Sequence, residues 1–192
     1  MIKKTNFKDL KIVTNLIHWD NRGYFKEILL EKKIKYKFPF LVMSSSKKNV
    51  LRGLHLQTSN PQGKFVSVLK GKIYDVCVDL RKNSKTFGKY FSIILSEKNS
   101  KSVFVPAGFA HGFCALENQT YVIYSCTKYR NAKSELALNY KDKDLKIKWP
   151  IKRPIVSKKD QQAISFKEFI RKHKLKKIIW LVAGSGIEPL TS

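Results

Sequence analysis

Acidic residues and long apolar runs are both scarce in this chain. The first shortage leaves a large excess of positive charge, and the second argues against a membrane-spanning protein. Only 14 Asp and Glu oppose 39 Lys and Arg, which gives a formal net charge of +25 over 192 residues. No stretch approaches the roughly 18 consecutive apolar residues of a membrane-spanning helix, and the first residues lack the apolar run of a secretory signal. We therefore expect a cytoplasmic protein that has no membrane partner.

Cysteines are also few, and they show neither paired nor metal-binding spacing. Cys77, Cys114 and Cys126 lie in apolar surroundings. Isolated cysteines of this kind are typical of buried, reduced thiols in a cytoplasmic protein. The sequence therefore predicts neither a disulfide framework nor a metal site built on cysteine.

The positive charge suits an anionic partner, such as nucleic acid, an anionic membrane or a phosphorylated small molecule. The lysines are scattered along the whole chain, however, and no nucleic-acid-binding motif is present. We expect no nucleic-acid partner, and the charge alone indicates only that anions are tolerated.

Short apolar segments separated by turn residues recur every eight to twelve residues. Ile73–Leu80 alternates clearly, with Tyr74 and Val76 on one face and Asp75 and Cys77 on the other. Repeated short strands of this kind predict an all-β sandwich or barrel of the jelly-roll type. Beyond residue 160 the pattern changes, and a basic helix is predicted over Gln162–Lys177. We expect one β domain over residues 1–160 and a basic C-terminal extension of unknown role over residues 161–192.

The stretch Asn49–Gln57 sets polar side chains between apolar ones. In a strand, His55 and Gln57 share one face, and the leucines beside them point to the other. Burying His55 or Arg52 without a purpose is costly. Two interpretations stay open from these residues alone: a structural histidine on a half-buried strand, or part of a functional site.

Several polar side chains from distant predicted strands form a chemically coherent set: His55, Lys64, His111, Tyr124 and Asp160. In a barrel, inward-facing residues of distant strands converge on one cavity. An imidazole can abstract a proton, and a carboxylate behind it can fix its tautomer. An ammonium can stabilise an enolate, and a phenol can return a proton. Each also has a structural alternative, as a core tyrosine, a hydrogen-bonding histidine at a corner or a lysine at a strand end.

Several motifs follow one another in an order that resembles the dTDP-4-dehydrorhamnose 3,5-epimerase family, from about residue 5 to residue 160. Three of them are Leu51–Gln57 (LRGLHLQ), Gly71–Arg81 (GKIYDVCVDLR) and Pro106–Phe113 (PAGFAHGF). The others are Asp20–Glu27, Gln62–Lys64, Ser84–Gly88, Asp142–Pro150 and Ser157–Asp160. Motifs in a shared order are far more specific than any one of them alone.

The resemblance implies a cupin-type jelly roll with a few short, mainly C-terminal helices. It also implies a homodimer that acts without a metal or other cofactor on a nucleotide-diphospho-4-keto-6-deoxyhexose. The expected reaction converts dTDP-4-dehydro-6-deoxyglucose to dTDP-4-dehydrorhamnose. His55-Leu56-Gln57 lacks the second histidine of a metal-binding cupin's His-x-His. The segment Tyr24–Leu30, which is predicted to be a strand, is a candidate for crossing to the partner.

By the same resemblance, His55 is the general base and Asp160 orients it. Lys64 stabilises the enolate, and Tyr124 is the general acid on the opposite face. The residues expected to bind substrate are Arg22, Glu27, Arg52, Gln57, His111, Arg130, Glu135 and Lys159. Among these, the arginines and the lysine suit the diphosphate.

Two departures from the family's pattern concern substrate recognition. Phe40-Leu41-Val42 stands where the family usually has Gln-x-Asn, and Tyr129-Arg130 stands where it usually has two aromatics. The second aromatic of the family stacks on thymine, and an arginine or Tyr129 could also stack on a base. The alternatives are therefore a single-centre 3- or 5-epimerase, a ketoisomerase of another deoxysugar pathway, or a catalytically silent cupin that binds a sugar nucleotide.

Overall fold

Two antiparallel β-sheets face each other in the structure, a computed structural model that describes residues 1–173. The strands are β1 (Ile2–Lys4), β2 (Lys11–Thr14), β3 (Ile17–Asp20), β4 (Gly23–Lys26), β5 (Phe40–Ser46), β6 (Leu51–Gln57), β7 (Lys64–Lys70), β8 (Lys72–Asp79), β9 (Tyr90–Ser96), β10 (Lys101–Val105), β11 (Phe109–Ala115), β12 (Thr120–Cys126) and β13 (Glu135–Ala137). The helices are α1 (Glu31–Ile34), α2 (Lys158–Gln161) and α3 (Phe166–Lys172), and a 3-10 turn spans Ala132–Ser134. None of the described helices is long and apolar enough to cross a membrane.

The sheets contain six and five strands. The order in the larger sheet is β1-β2-β10-β7-β12-β5, and in the smaller sheet it is β13-β6-β11-β8-β9. A separate hairpin is formed by β3 and β4. Consecutive strands often lie in different sheets, as in a jelly roll. The predicted all-β class is therefore confirmed.

The main core lies between the two sheets. Ile73 and Cys77 of β8 pack there against Val66 and Val68 of β7, and all four are fully or almost fully buried. The alternate residues of β8, such as Val76, pack in a second cluster on the outer face of the smaller sheet. The alternation predicted for Ile73–Leu80 thus separates two cores.

The second cluster involves the beginning of the predicted C-terminal extension. Phe166 and Phe169 of α3 are buried against the outer face of the smaller sheet. Residues 161–173 therefore add a layer to the β domain that was predicted over residues 1–160. Residues 174–192 lie outside the described part of the chain, and the basic extension of unknown role expected there stays a prediction.

Two segments differ from their predicted secondary structure. The strand predicted from Tyr24 ends at Lys26, and the short helix α1 follows. The helix predicted from Gln162 begins only at Phe166, because Ser165 is its N-cap and accepts a hydrogen bond from the Glu168 N–H at 3.1 Å. This Ser-x-x-Glu spacing is a capping-box signal for a helix start. The predicted end of that helix lies outside the described residues.

Candidate active site

A cavity of about 700 Å³ opens between the two sheets. Its lining includes most of the predicted site residues: Arg52, His55, Lys64, His111, Tyr124, Arg130, Glu135, Lys159 and Asp160. The remaining lining is largely apolar and includes Phe40, Val42 and Met43 of β5 and Phe113 of β11. A concave apolar site with a few convergent polar groups is typical of small-ligand binding.

His55 and Asp160 form a hydrogen-bonded pair on one wall. His55 lies on β6, and its Nε2 is 2.5 Å from Oδ1 of Asp160. Asp160 is held by its place in α2, where its N–H donates to the Ser157 side chain at 3.1 Å, and the Gly53 N–H points to its Oδ2 at 3.4 Å. Gly53 must be glycine here, because a Cβ would lie 2.5 Å from the Cα of Gly112 on β11.

The ionisation state of Asp160 determines which ring nitrogen of His55 carries a proton. Burial alone would raise the pKa of Asp160, but the hydrogen bonds and charge of His55 outweigh it, and the pKa is lowered. An ionised Asp160 keeps a proton on Nε2 of His55. Nδ1, which has no hydrogen-bond partner within residues 1–173, is then left with the lone pair that a general base needs.

A second histidine–aspartate pair lies beside the first. His111 of β11 is the cross-strand partner of His55, and its Nε2 is 2.7 Å from Oδ2 of buried Asp75. The sequence prediction missed Asp75. The alternation of β8 could have identified it, because it places this carboxylate on the same face as Ile73 and Cys77. An unpaired acid is costly in such an apolar environment.

Asp75, Cys77 and His111 offer three potential metal-ligand atoms within 4.8 Å of one another. The Cys77 thiol donates to Oδ1 of Asp75 at 3.5 Å, so each group is already engaged by another. Burial, with the nearby Asp75 charge, raises the pKa of Cys77 well above its usual value. A cysteine must lose its proton to bind a metal, and the raised pKa of Cys77 opposes that loss. The absence of a metal from the reaction stays a prediction.

The opposite wall comes from the larger sheet and carries Lys64 and Tyr124. Lys64 begins β7, and its ammonium has neither an ion pair nor a hydrogen bond within the described part of the chain. Burial lowers the pKa of this ammonium. The Tyr124 hydroxyl lies 3.0 Å from Oγ of Ser44, and burial raises its pKa, so the phenol keeps its proton. The cavity thus carries an imidazole with an unpaired ring nitrogen on one sheet, and an amine and a protonated phenol on the other.

Three charged residues form what we call the charged rim: Arg130, Glu135 and Lys159. Arg130 donates from Nε and Nη2 to the two carboxylate oxygens of Glu135, at 2.6 and 2.9 Å. Lys159 donates to Oε2 of Glu135 at 2.9 Å. The Arg130 hydrogen bonds, supported by those and the charge of Lys159, lower the pKa of Glu135 to about 2. Arg52, also at the cavity, donates to Oγ of Ser46 and to the Ser45 carbonyl.

Three predicted substrate-binding residues are not brought to the cavity of this chain. Arg22 lies in the exposed β3–β4 hairpin and pairs with Asp20 at 2.5 Å. Glu27 follows that hairpin and lines a separate small pocket near the N-terminus. Gln57 is buried, donates to the Asn60 carbonyl and accepts from the Asn131 N–H. Gln57 thus fixes the approach to β13, and a substrate contact for any of the three stays a prediction.

The sequence profile of the dTDP-4-dehydrorhamnose 3,5-epimerase family matches residues 4–168. A dTDP-4-dehydrorhamnose 3,5-epimerase of Methanothermobacter thermautotrophicus is 40% identical over 166 residues, covering 82% of this chain and 90% of the relative.

Solved structures of similar proteins have the same fold as this chain. An epimerase of Legionella pneumophila in complex with dTDP-4-keto-L-rhamnose has a TM-score of 0.85 and 38% identity, covering 91% of this chain and 96% of that one. A 3'-monoepimerase of Streptomyces bikiniensis in complex with dTDP-quinovose has a TM-score of 0.83 at 26% identity, covering 89% of this chain and 90% of that one. The cupin-type jelly roll is confirmed.

Proposed function

The chain belongs to the dTDP-4-dehydrorhamnose 3,5-epimerase family, and from this premise we propose how its cavity performs an epimerisation. It is an epimerase, and its proposed substrate is dTDP-4-dehydro-6-deoxyglucose, converted to dTDP-4-dehydrorhamnose. The observation that best supports the proposed residue roles is that the polar side chains of the cavity come from two facing sheets. The His55–Asp160 pair belongs to one wall, and Lys64 and Tyr124 belong to the other.

The chemistry begins at a C–H bond beside the C4 ketone. Nδ1 of His55 takes the proton from C3 or C5, and the electron pair of that bond moves to the C4 oxygen as an enolate. Asp160 stabilises the imidazolium that forms. The Lys64 ammonium stabilises the enolate oxygen. It is available because it makes no hydrogen bond or ion pair within the described residues and lines the cavity.

Inversion requires the new proton to arrive on the other face of the sugar ring. Tyr124 is protonated at neutral pH because burial raises its pKa, and it belongs to the opposite sheet from His55. Donation from its hydroxyl to the enolate carbon reverses the configuration. Ser44 then stabilises the phenolate, and solvent exchange returns Tyr124 and His55 to their starting states.

A homodimer is part of the proposal. The β3–β4 hairpin exposes Trp19 and Phe25, and the edge strand β5 exposes Leu41 and Met43. An open, apolar edge strand is a template for pairing with another chain. A partner hairpin docked on β5 would approach the cavity, because Met43 also lines it. This arrangement would explain how Arg22 and Glu27 could contact the substrate as predicted.

The dimer is tested by light scattering of the wild type and of Met43→Lys. We expect a dimer for the wild type and a monomer with reduced turnover for the variant, because a charge on the edge opposes pairing. A monomeric wild type at working concentration would contradict the proposal.

A cytoplasmic location is also proposed and is supported by the three free, buried cysteines.

The direct test of the reaction uses dTDP-4-dehydro-6-deoxyglucose and a His55→Asn variant. We expect turnover to fall by about 10³-fold or more, because a general base is lost, while the thermal midpoint stays close to that of the wild type. His173→Asn is the matched control, since His173 ends α3 and lies outside the cavity. Unaltered turnover in His55→Asn would contradict the assignment.

The second candidate is an epimerase that acts at one carbon only. The apolar Val42 and the charged Arg130 at the cavity favour it, because both depart from the family's recognition pattern. The similarity to the Streptomyces bikiniensis 3'-monoepimerase is compatible with it. Solvent exchange in deuterium oxide distinguishes the two, because a single-centre epimerase exchanges the proton at one carbon only.

A further inference from the structure

Two of the helices begin with the same capping pattern. Ser157 precedes α2 and Ser165 precedes α3, and an acidic residue follows each serine three positions later, Asp160 and Glu168. The serine hydroxyl accepts a hydrogen bond from the N–H of that acidic residue, at 3.1 Å in both helices. In an ordinary capping box the acidic side chain then turns back to the N–H of the serine. The Asp160 carboxylate faces β6 instead.

Helix α2 is a single turn and depends on its cap. Backbone hydrogen bonds run from the N–H groups of Gln161 and Gln162 to the carbonyls of Ser157 and Lys158. A first helical turn fixes several backbone angles for few hydrogen bonds, so a lone turn needs other support. The Ser157 hydroxyl gives that support by holding the N–H of Asp160.

The segment before α2 is fixed to β6, the strand that carries the proposed general base. The Ile155 N–H donates to the Asn49 carbonyl at 2.8 Å, and the Ile155 carbonyl accepts from the Leu51 N–H at 2.9 Å. Ser157 follows two residues later, so its hydroxyl has a defined position relative to β6. The cap therefore determines where the carboxylate of Asp160 lies against this strand.

The Ser157 hydroxyl acts on the carboxylate of Asp160 as well as on its N–H. The Asp160 side chain is only 4% exposed. Burial raises the pKa of Asp160, and the hydrogen bond and charge of His55 lower it. The Gly53 N–H and the Ser157 hydroxyl lower this pKa further, and the net value lies below that of an ordinary aspartate. Ser157 thus stabilises the ionised carboxylate in the position that its cap defines.

We propose that Ser157 is a positioning residue, which holds the Asp160 carboxylate on Nε2 of His55 and thereby keeps the lone pair on Nδ1. This inference rests on the proposed function, because it takes His55 as the general base. Ser157 also lines the cavity, so the experiment must separate positioning from a direct contact with the substrate.

The experiment compares Ser157→Ala with Ser165→Ala in the full chain. Both variants remove a serine cap with the same hydrogen-bond distance, and Ser165 does not line the cavity. Loss of either cap should lower the thermal midpoint by roughly 2–4 °C. The matched pair therefore separates loss of a cap from loss of positioning. Ser157→Thr keeps the hydroxyl and is the conservative variant.

The first readout is turnover of dTDP-4-dehydro-6-deoxyglucose. We expect Ser157→Ala to lower kcat by about tenfold with KM almost unchanged, because a displaced carboxylate misaligns the base. Ser157→Thr should keep most of the turnover, and Ser165→Ala should match the wild type. A rise in KM with kcat unchanged would make Ser157 a substrate contact and overturn the inference. Equal losses of kcat in the two alanine variants would also overturn it.

The second readout needs no substrate. Proton–nitrogen NMR spectra of the imidazole rings report which ring nitrogen carries the proton. The signals that disappear in His55→Asn belong to His55, and those of His111, which pairs with Asp75, are an internal reference. We expect the proton of His55 on Nε2 in the wild type and in Ser165→Ala, and a mixture of the two tautomers in Ser157→Ala. An unchanged tautomer in Ser157→Ala would overturn the inference.

Ser157→Gly decides the question if Ser157→Ala does not fold. Glycine at an N-cap costs a helix little stability and has no hydroxyl. We expect this variant to keep its thermal midpoint close to that of the wild type, and to show the same loss of kcat and the same mixed tautomer. Wild-type turnover in Ser157→Gly would overturn the inference.

Failure of the inference differs from failure of the proposed function. If the wild type epimerises its substrate, and Ser157→Ala keeps both its turnover and the Nε2 proton, the positioning role is wrong and the epimerase stands. If the wild type does not act on dTDP-4-dehydro-6-deoxyglucose but the tautomer of His55 still depends on Ser157, the positioning role stands and the proposed substrate is wrong.

Discussion

The strand residues of the cavity and the charged rim are held in place by different forces. His55 and His111 are cross-strand partners in the smaller sheet, and Lys64 and Tyr124 belong to neighbouring strands of the larger one. Register fixes these side chains, since a slip of one residue would turn them to the other face. The rim depends on the long, exposed side chains of Arg130 and Lys159, which share the less exposed carboxylate of Glu135. We therefore propose that the β framework sets the reaction type and that exposed charges, which can change without disturbing it, contribute to substrate choice.

Besides His55→Asn, the strand variant for which we predict the largest effect is Tyr124→Phe. Turnover should fall by about 10²- to 10⁴-fold, because the proton donor of the opposite face is lost. Proton abstraction by His55 is intact, so deuterium should still enter the substrate without inversion. Chiral analysis of the recovered sugar, together with NMR, separates the two steps. A variant that loses exchange together with inversion would show that Tyr124 does not act as the second-face acid.

Lys64→Met should lower kcat by about 10²- to 10³-fold, since the charge that stabilises the enolate is lost. The pH profile is a further test. Burial lowers the pKa of Lys64 below 10.5, and its charged form is the active one, so turnover should decline with rising pH before an ordinary lysine titrates. Lys64→Arg should lack this alkaline decline. An alkaline decline that persists unchanged in Lys64→Arg would assign it to another group.

A smaller effect is expected from Val42→Asn, which restores an amide at the cavity. Val42 lies opposite Tyr124 in the register of β5 and β12. KM for dTDP-4-dehydro-6-deoxyglucose should fall by roughly threefold, the effect of one added hydrogen bond, with kcat almost unchanged. Ile94→Asn on β9, away from the cavity, is the control. A change in kcat alone would contradict the view that the residue at position 42 affects substrate recognition and not the reaction.

The strand residues were largely predictable, because period-two alternation places whole sets of side chains on one face. His55 was expected opposite its leucine neighbours, and Leu54 and Leu56 indeed pack on the outer face of the smaller sheet. The convergence of His55, Lys64, Tyr124 and Asp160 on one cavity depended on the family resemblance, because no local spacing joins residues of distant strands.

The rim geometry and the Asp75 contact were not predicted. Glu135 and Lys159 were expected at the substrate, but their shared ion pair with Arg130 depends on side-chain reach, which a sequence pattern does not encode. Arg22 and Glu27 were expected at the substrate, and neither lines the cavity of this chain. In the proposed dimer their contact would come from a second chain, and the periodicity of one sequence carries no signal of such a contact.

The measurement that tests the central claim most directly is solvent exchange followed by NMR. The protein is mixed with dTDP-4-dehydro-6-deoxyglucose in deuterium oxide, and the C3 and C5 protons are followed. If His55 serves both carbons, both signals disappear, and neither disappears with His55→Asn. Loss of one signal alone would identify a single-centre epimerase. Retention of both signals with the wild type would contradict the account.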